Sequence, residues 1–174
     1  TTRGHLVAGE TVLVQGAGGG VATAAIALGK AMGLRVWATS RDEAKRAAAL
    51  ELGADAVFET GARLPERVDA VIETVGEATW SHSLKSLRPG GRIIVSGSTS
   101  GAMPPADLAR VFFLQLSVIG STMGTREELI ALMDLLAATG VRPTIAGEFD
   151  MADAGSAFAM LAEGDVVGKL VLTR

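Results

Sequence analysis

The clearest chemistry in this chain lies in Gly16-Ala17-Gly18-Gly19-Gly20-Val21-Ala22. Glycines let a backbone turn sharply and let a ligand approach the main chain, while a helix that follows offers unpaired N–H groups and the positive end of its dipole. Together these features hold a pyrophosphate, and Gly18, Gly19, Gly20 and Val21 are the candidates to do so. A glycine cluster alone is weak, so its flanks decide. A dinucleotide site needs a second strand ending about 20 residues later, with an acid at its tip where the ribose carries free hydroxyls. Here the tip reads Trp37-Ala38-Thr39-Ser40-Arg41, with Lys45 one helical turn further on, while Asp42 and Glu43 fall in the following helix. A hydroxyl and two cations suit a doubly charged 2′-phosphate, so Ser40, Arg41 and Lys45 point to NADP rather than NAD. A helix starting at this tip would put Arg41 and Lys45 on one face. The same residues also fit plainer roles. Ser40-Arg41-Asp42-Glu43 matches a capping box with Ser40 as the cap, and Arg41 and Lys45 suit a solvated surface.

Those residues can act only if regular elements position them. Apolar β-branched runs alternate with Ala/Leu-rich segments at helical spacing, the pattern of a parallel sheet covered by helices. The spacing predicts strands at Thr11–Val14, Leu34–Ala38, Ala56–Phe58, Val68–Ile72, Arg92–Ser96 and Leu116–Ile119. It predicts helices at Val21–Met32, Asp42–Leu52, Thr79–Leu87, Pro105–Phe113 and Arg126–Ala138. Gly33, Gly53 and Gly140 lie just past three helix ends, where a left-handed residue commonly terminates the helix. Arg88-Pro89-Gly90-Gly91 reads as a turn before the fifth strand. Right-handed crossovers make this an α/β fold with a doubly wound, parallel six-stranded sheet, its ligand at the carboxyl ends of the strands near the first one. A further strand at Thr144–Phe149, a helix at Ala152–Leu161 and a strand at Val167–Leu172 follow.

Composition narrows the function. The chain has 174 residues, 48% of them hydrophobic, a net charge of −3 and no cysteine. It is large enough for one ordinary core, and the absent cysteines remove thiolate metal sites. With no basic run there is no electrostatic footprint for nucleic acid. No run of about 18 or more apolar residues would span a bilayer. The start lacks a signal-peptide pattern, so no membrane association and a cytoplasmic location are expected. His5 and His82 are the only imidazoles and have no metal-ligand spacing, so no metal site is expected. No Ser/His/Asp arrangement can be defended, and the catalytic residues are unassigned. The absence of tyrosine excludes a Tyr-x-x-x-Lys general acid.

These residues resemble the cofactor-binding Rossmann domain of the medium-chain dehydrogenase/reductase superfamily, in its quinone oxidoreductase-like, zinc-independent branch. The resemblance covers nearly the whole chain. It rests on Gly9-Glu10-Thr11-Val12-Leu13-Val14, the glycine turn, Leu52-Gly53-Ala54-Asp55, Val68-Asp69-Ala70-Val71-Ile72-Glu73-Thr74-Val75-Gly76, Leu87-Arg88-Pro89-Gly90-Gly91-Arg92 and Gly168-Lys169-Leu170-Val171-Leu172. It implies a two-domain oxidoreductase that passes hydride from NADPH to a small quinone, enone or related carbonyl compound. Thr74, Val75 and Gly76 would then lie beside the adenosine ribose and the cofactor bridge. Gly97 and Ser98, with Ser121, Thr122 and Met123, would border the nicotinamide. Ala22 stands where the fingerprint often has its last glycine, and the run of glycines leaves the register open by one residue.

The resemblance also carries expectations about organisation. Residues 1–140 would form the NADP-binding domain. Residues 141–174 would return to a catalytic, substrate-binding domain outside this sequence, without which the chain would be inactive; the alternative is that these last strands complete the same sheet. The sixth strand would pair with its twofold mate in a homodimer. Two other functions fit the same cofactor half: an enoyl reductase module of a fatty-acid or polyketide synthase, and a non-catalytic nucleotide-binding module.

Overall fold

The structure is a computed structural model and describes residues 2–164 and 166–174. Its elements run β1 (Thr11–Gln15), α1 (Gly20–Ala31), β2 (Arg35–Thr39), α2 (Glu43–Glu51), β3 (Ala56–Phe58), β4 (Val68–Glu73), α3 (Glu77–Ser86), β5 (Leu87–Val95), α4 (Leu108–Phe113), β6 (Ser117–Gly120) and α5 (Arg126–Thr139). After α5 come β7 (Ile145–Asp150), a 3-10 turn (Met151–Asp153), α6 (Ala154–Glu163) and β8 (Lys169–Thr173). The first six strands form one sheet in the order β3-β2-β1-β4-β5-β6, every pair parallel. This is the expected doubly wound Rossmann sheet. The order reverses beside β1, which places the glycine turn at the switch point where ligands enter such sheets.

Strand alternation explains why helices cover both faces. Val12 and Val14 point to one side and pack with Ala22 and Ile26 of α1 and Ala49 of α2. Leu13 points to the other and packs with Leu84 of α3 and Val71 of β4. The two clusters bury their apolar side chains against opposite faces, which fixes the register of β1, since a one-residue slip would exchange its faces. Among the described residues no helix is long and apolar enough to cross a membrane.

Several element boundaries differ from the sequence expectation, each for a local reason. Residues 88–91 do not precede β5 but bulge from within it, because Val68 pairs with Leu87 and then Ala70 pairs with Arg92. Helix α4 starts at Leu108 rather than Pro105, since Asp107 takes φ +44 and caps the helix by accepting from the Arg110 N–H at 3.3 Å. Helix α3 starts earlier, at Glu77, because Gly76 at φ +91 supplies the turn into it. The last strands do not complete the main sheet: β7 and β8 pair with each other as a separate parallel pair. Gly33, Gly53 and Gly140 all take positive φ past their helices, as the spacing implies.

Candidate functional site

The glycine turn is held from below by β2. Gly16 takes φ +77, and the Thr39 carbonyl accepts its N–H at 3.1 Å and that of Ala17 at 2.9 Å. Gly19 is then the residue before α1, extended at φ −71 and ψ 156, with no side-chain cap. Its carbonyl accepts from the Thr23 N–H at 2.9 Å, closing the first helical turn. Among the described residues the N–H groups of Gly20, Val21 and Ala22 have no backbone or side-chain acceptor, leaving the open donors an anion would use.

The three glycines differ in what surrounds them. A Cβ on Gly19 would meet nothing within 4 Å, whereas one on Gly18 would lie 2.7 Å from Lys45 Cδ and one on Gly20 would lie 2.8 Å from Lys169 Nζ. Open space therefore sits at Gly19, between lysine side chains from α2 and β8. Ala22, one turn on, is buried in the core beside Val14, as the last fingerprint position requires for close helix packing. Positions 16, 19 and 22 thus divide the roles of sharp turn, open approach and helix packing.

The tip of β2 is built differently from the sequence expectation. Ser40 is not the helix cap: Asp42 is, its carboxylate accepting from the Lys45 N–H at 2.9 Å. The Ser40 hydroxyl accepts from the Asp42 N–H at 3.1 Å, and Arg46 donates to the Ser40 carbonyl at 2.7 Å. Because α2 begins at Glu43, Arg41 lies outside it, and the one-face argument for Arg41 and Lys45 does not apply. Arg41 is exposed at the tip beside Ser40. Lys45 instead sends its Nζ to the Gly164 carbonyl at 2.6 Å.

The β4 tip depends on a buried carboxylate. Glu73 is fully buried and accepts from the N–H groups of Val75 at 2.9 Å and Gly76 at 3.1 Å, from Thr79 Oγ1 at 2.8 Å and from Ser83 Oγ at 2.5 Å. Those donors satisfy the buried carboxyl and fix the loop Thr74-Val75-Gly76. Gln15 extends the network: its amide donates to Ser83 Oγ at 3.0 Å and pairs with His82 Nδ1 at 2.9 Å, while its carbonyl oxygen accepts from Thr39 Oγ1. Thr74 Oγ1 donates to the Gln15 main-chain carbonyl at 3.2 Å. The β5 tip docks on the same loop through the Ser100 N–H, which donates to the Val75 carbonyl at 2.7 Å. A Cβ on Gly97 would lie 2.9 Å from the Thr74 carbonyl, and one on Gly76 would lie 2.9 Å from Ser98 Cα.

A cleft of about 380 Å³ opens on the α1 side of these tips, lined by Gly20, Val21, Ala25, Ser96, Ser121 and Lys169. It brings together the glycine turn and the end of β6, with Val21 and Ser121 on its lining. Met123, by contrast, is 92% exposed at φ +50 and does not line it. Sequence reasoning assigned no role to Lys169, Gln15, Glu73 or Arg46. Lys169 stood in a quoted motif, but more than a hundred residues separate it from the glycines it flanks.

The site can hold a dinucleotide: the space at Gly19, the free N–H groups and two flanking cations match a pyrophosphate. Among the described residues no group of three or more His, Cys, Asp or Glu could hold a metal, and the chain has no cysteine.

A parallel sheet in this order with a glycine turn at its switch point defines a nucleotide-binding Rossmann domain. The zinc-binding dehydrogenase family model matches residues 20–138, and the chain belongs to this family of the medium-chain dehydrogenase/reductase superfamily. The acryloyl-coenzyme A reductase of Metallosphaera sedula is 35% identical, over 98% of this chain and 53% of its own length. The quinone oxidoreductase of Rattus norvegicus is 32% identical, over 95% of the chain and 55% of its own. The structure of a thermostable alcohol dehydrogenase from Pyrobaculum aerophilum superposes with a TM-score of 0.88 at 32% identity, over 99% of this chain and 53% of that one. The chain therefore spans about half the length of the relatives it matches.

Proposed function

We propose that this chain is the NADP(H)-binding part of an oxidoreductase that reduces a quinone, an enone or a related carbonyl compound without zinc. The observation that carries the reading is the open space at Gly19, flanked by Lys45 and Lys169 above the free N–H groups of α1. When bound, the cofactor supplies the hydride. The chain's residues do the positioning: the N–H groups of Gly20, Val21 and Ala22 face the pyrophosphate, and Lys169 neutralises its charge. Ser40, Arg41 and Lys45 receive the 2′-phosphate. The Glu73 network holds Thr74, Val75 and Gly76 against the adenosine ribose and the cofactor bridge. Gly97 and Ser98, which pack on that loop, together with Ser121 and Met123 after β6, border the nicotinamide. The name of the acryloyl-coenzyme A reductase relative favours an enoyl thioester within this substrate class.

Two features of organisation belong to the same reading. Residues 1–140 act as the cofactor domain, and the separate β7–β8 pair suits a segment at 141–174 that completes a substrate domain. Strand β6 is a sheet edge carrying exposed Val118, with exposed Phe112 and Phe113 nearby on α4, and such an edge suits pairing with a second copy. Sedimentation of the protein tests this pairing, and a monomer would refute it. Calorimetric titration with NADPH and NADH tests the cofactor. NADPH binds more tightly on this reading; preference for NADH would remove the roles of Ser40 and Arg41, and failure to bind either would remove the cofactor altogether.

A further inference from the structure

We propose that His82 is a positioning residue for the cofactor site. As its neutral Nε2–H tautomer it orients the Gln15 amide, and through that amide the strand tips that frame the glycine turn, so that a proton on His82 weakens nucleotide binding. This role rests on the cofactor reading above.

The tautomer follows from the acceptors around the ring. Nε2 lies 2.9 Å from the Ala62 carbonyl, which can only accept, so Nε2 carries the hydrogen. Ser86 Oγ, 3.5 Å from the same nitrogen, already donates to the His82 carbonyl at 2.8 Å and faces Nε2 as a second acceptor. A neutral ring then has an unprotonated Nδ1, and Gln15 Nε2 donates to it at 2.9 Å. The other hydrogen of that amide goes to Ser83 Oγ at 3.0 Å, while the amide oxygen accepts from Thr39 Oγ1. Ser83 Oγ in turn donates to Glu73 Oε2 at 2.5 Å. The direction of the whole chain is thus set at the Ala62 carbonyl.

Gln15 lies where the tips of β1, β2 and β4 meet. It ends β1, directly before Gly16. Its side chain is bonded to Thr39, whose carbonyl holds the Gly16 and Ala17 N–H groups, and its main-chain carbonyl accepts from Thr74 Oγ1 at 3.2 Å. Ser83 links it to Glu73, which holds the Val75 and Gly76 N–H groups. Gln15, Thr39, Glu73 and Ser83 are all buried, so a bond lost among them is not replaced by bulk water. His82 is only half-buried, and solvent protons reach its ring.

Protonation reverses the chain. Imidazole ordinarily gains its second proton between about pH 8 and 5. The charged groups around this one are Glu73 of β4, reached through Ser83, Glu59 and Arg63 in the loop that carries Ala62, and Lys85 on the next turn of α3. With both ring nitrogens donating, Nδ1–H meets the Gln15 amide nitrogen, and the amide must turn over to offer its oxygen. The buried Thr39 hydroxyl then loses its acceptor and Ser83 Oγ its donor. Nucleotide binding, which needs both neighbouring tips in place, therefore favours the neutral ring and releases the proton.

Calorimetric titration with NADP⁺ and NAD⁺ across this pH range, beside nitrogen NMR of the imidazole and side-chain amides, tests the role. At the alkaline end the ring shows the Nε2–H tautomer, and on acidification the Gln15 amide signals shift in step with the ring. Wild-type affinity for both nucleotides falls about fivefold further than that of His82→Asn, the scale of one ordinary hydrogen bond. In that variant Oδ1 accepts from Gln15 in place of Nδ1 and takes up no proton, so the comparison removes the titration of the 2′-phosphate and of every other group. Equal pH dependence in the two proteins overturns the role, as does an Nδ1–H tautomer at the alkaline end or a Gln15 amide that does not respond to the ring. The wild-type spectra decide even if the variant does not fold. Failure of both nucleotides to bind at every pH instead overturns the cofactor reading beneath it.

Discussion

The Thr39 carbonyl accepts the Gly16 N–H at 3.1 Å, tying the end of β2 to the first residue of the glycine turn at φ +77. That φ is open to glycine and strained for other residues, and a Cβ here would lie 2.8 Å from Val75 Cγ2. Gly16→Ala is expected to destabilise the protein by about 1–3 kcal/mol. Urea denaturation measures this, and an unchanged midpoint would show that the turn relaxes without cost.

Gly19 predicts the opposite separation. Its φ of −71 suits alanine, and nothing lies within 4 Å of a Cβ there. Gly19→Ala then costs about 1 kcal/mol of stability or less, the scale of a poorer helix cap. The added methyl fills the space proposed for the pyrophosphate, so NADPH and NADH affinity both fall at least about tenfold, or about 1.4 kcal/mol. Calorimetry beside urea denaturation distinguishes the two effects, and full nucleotide affinity in this variant would move the pyrophosphate elsewhere.

Much of this architecture could be read from the sequence because it depends on local signals. Alternating apolar runs, glycines past helix ends and the glycine turn each act within a few residues, and they give the sheet order once crossovers are right-handed. The site was less legible where distant residues meet. Lys169 reaches Gly20 only because β8 returns across the turn, and Glu73 gains its donors from α3. Ser40 and Asp42 are both good caps, and the cap at α2 falls two residues later than the sequence pattern implies: Ser40 receives the Asp42 N–H, and Arg41 lies outside the helix.

Arg41 and Lys169 separate the two charges of the proposed cofactor. Arg41→Ala is expected to weaken NADPH by about 1–3 kcal/mol, the scale of one charge-assisted hydrogen bond, and to leave NADH nearly unchanged. Lys169→Ala, beside Gly20, is expected to weaken both by a similar amount, because the pyrophosphate is common to them. The ratio of the two affinities in each variant is the measurement. Equal losses of both nucleotides in Arg41→Ala would show that the arginine is structural.

At the opposite end of the sheet, Arg92 grips Glu10 through two bonds, Nη2 to Oε2 at 2.5 Å and Nη1 to Oε1 at 3.1 Å. Burial pushes the Glu10 carboxyl up, but hydrogen bonds from Arg92 and the Val7 N–H, with the charges of Arg92 and Arg88, outweigh it and hold the group below its ordinary value. A carboxyl lowered on folding adds stability that is fully present above its unfolded pKa and is lost as pH falls through its folded pKa. Glu10→Gln should therefore lower stability at neutral pH and lower it progressively less as the pH falls below the ordinary glutamate value and through the lowered folded one. Asp55 is lowered in the same way: burial raises it, but the Lys30 ammonium and the Val36 N–H outweigh that, so some acid sensitivity persists in the variant. Urea midpoints of both proteins across this range give the difference directly. A gap that stays constant with pH would mean that Glu10 contributes shape to this corner and its charge contributes nothing.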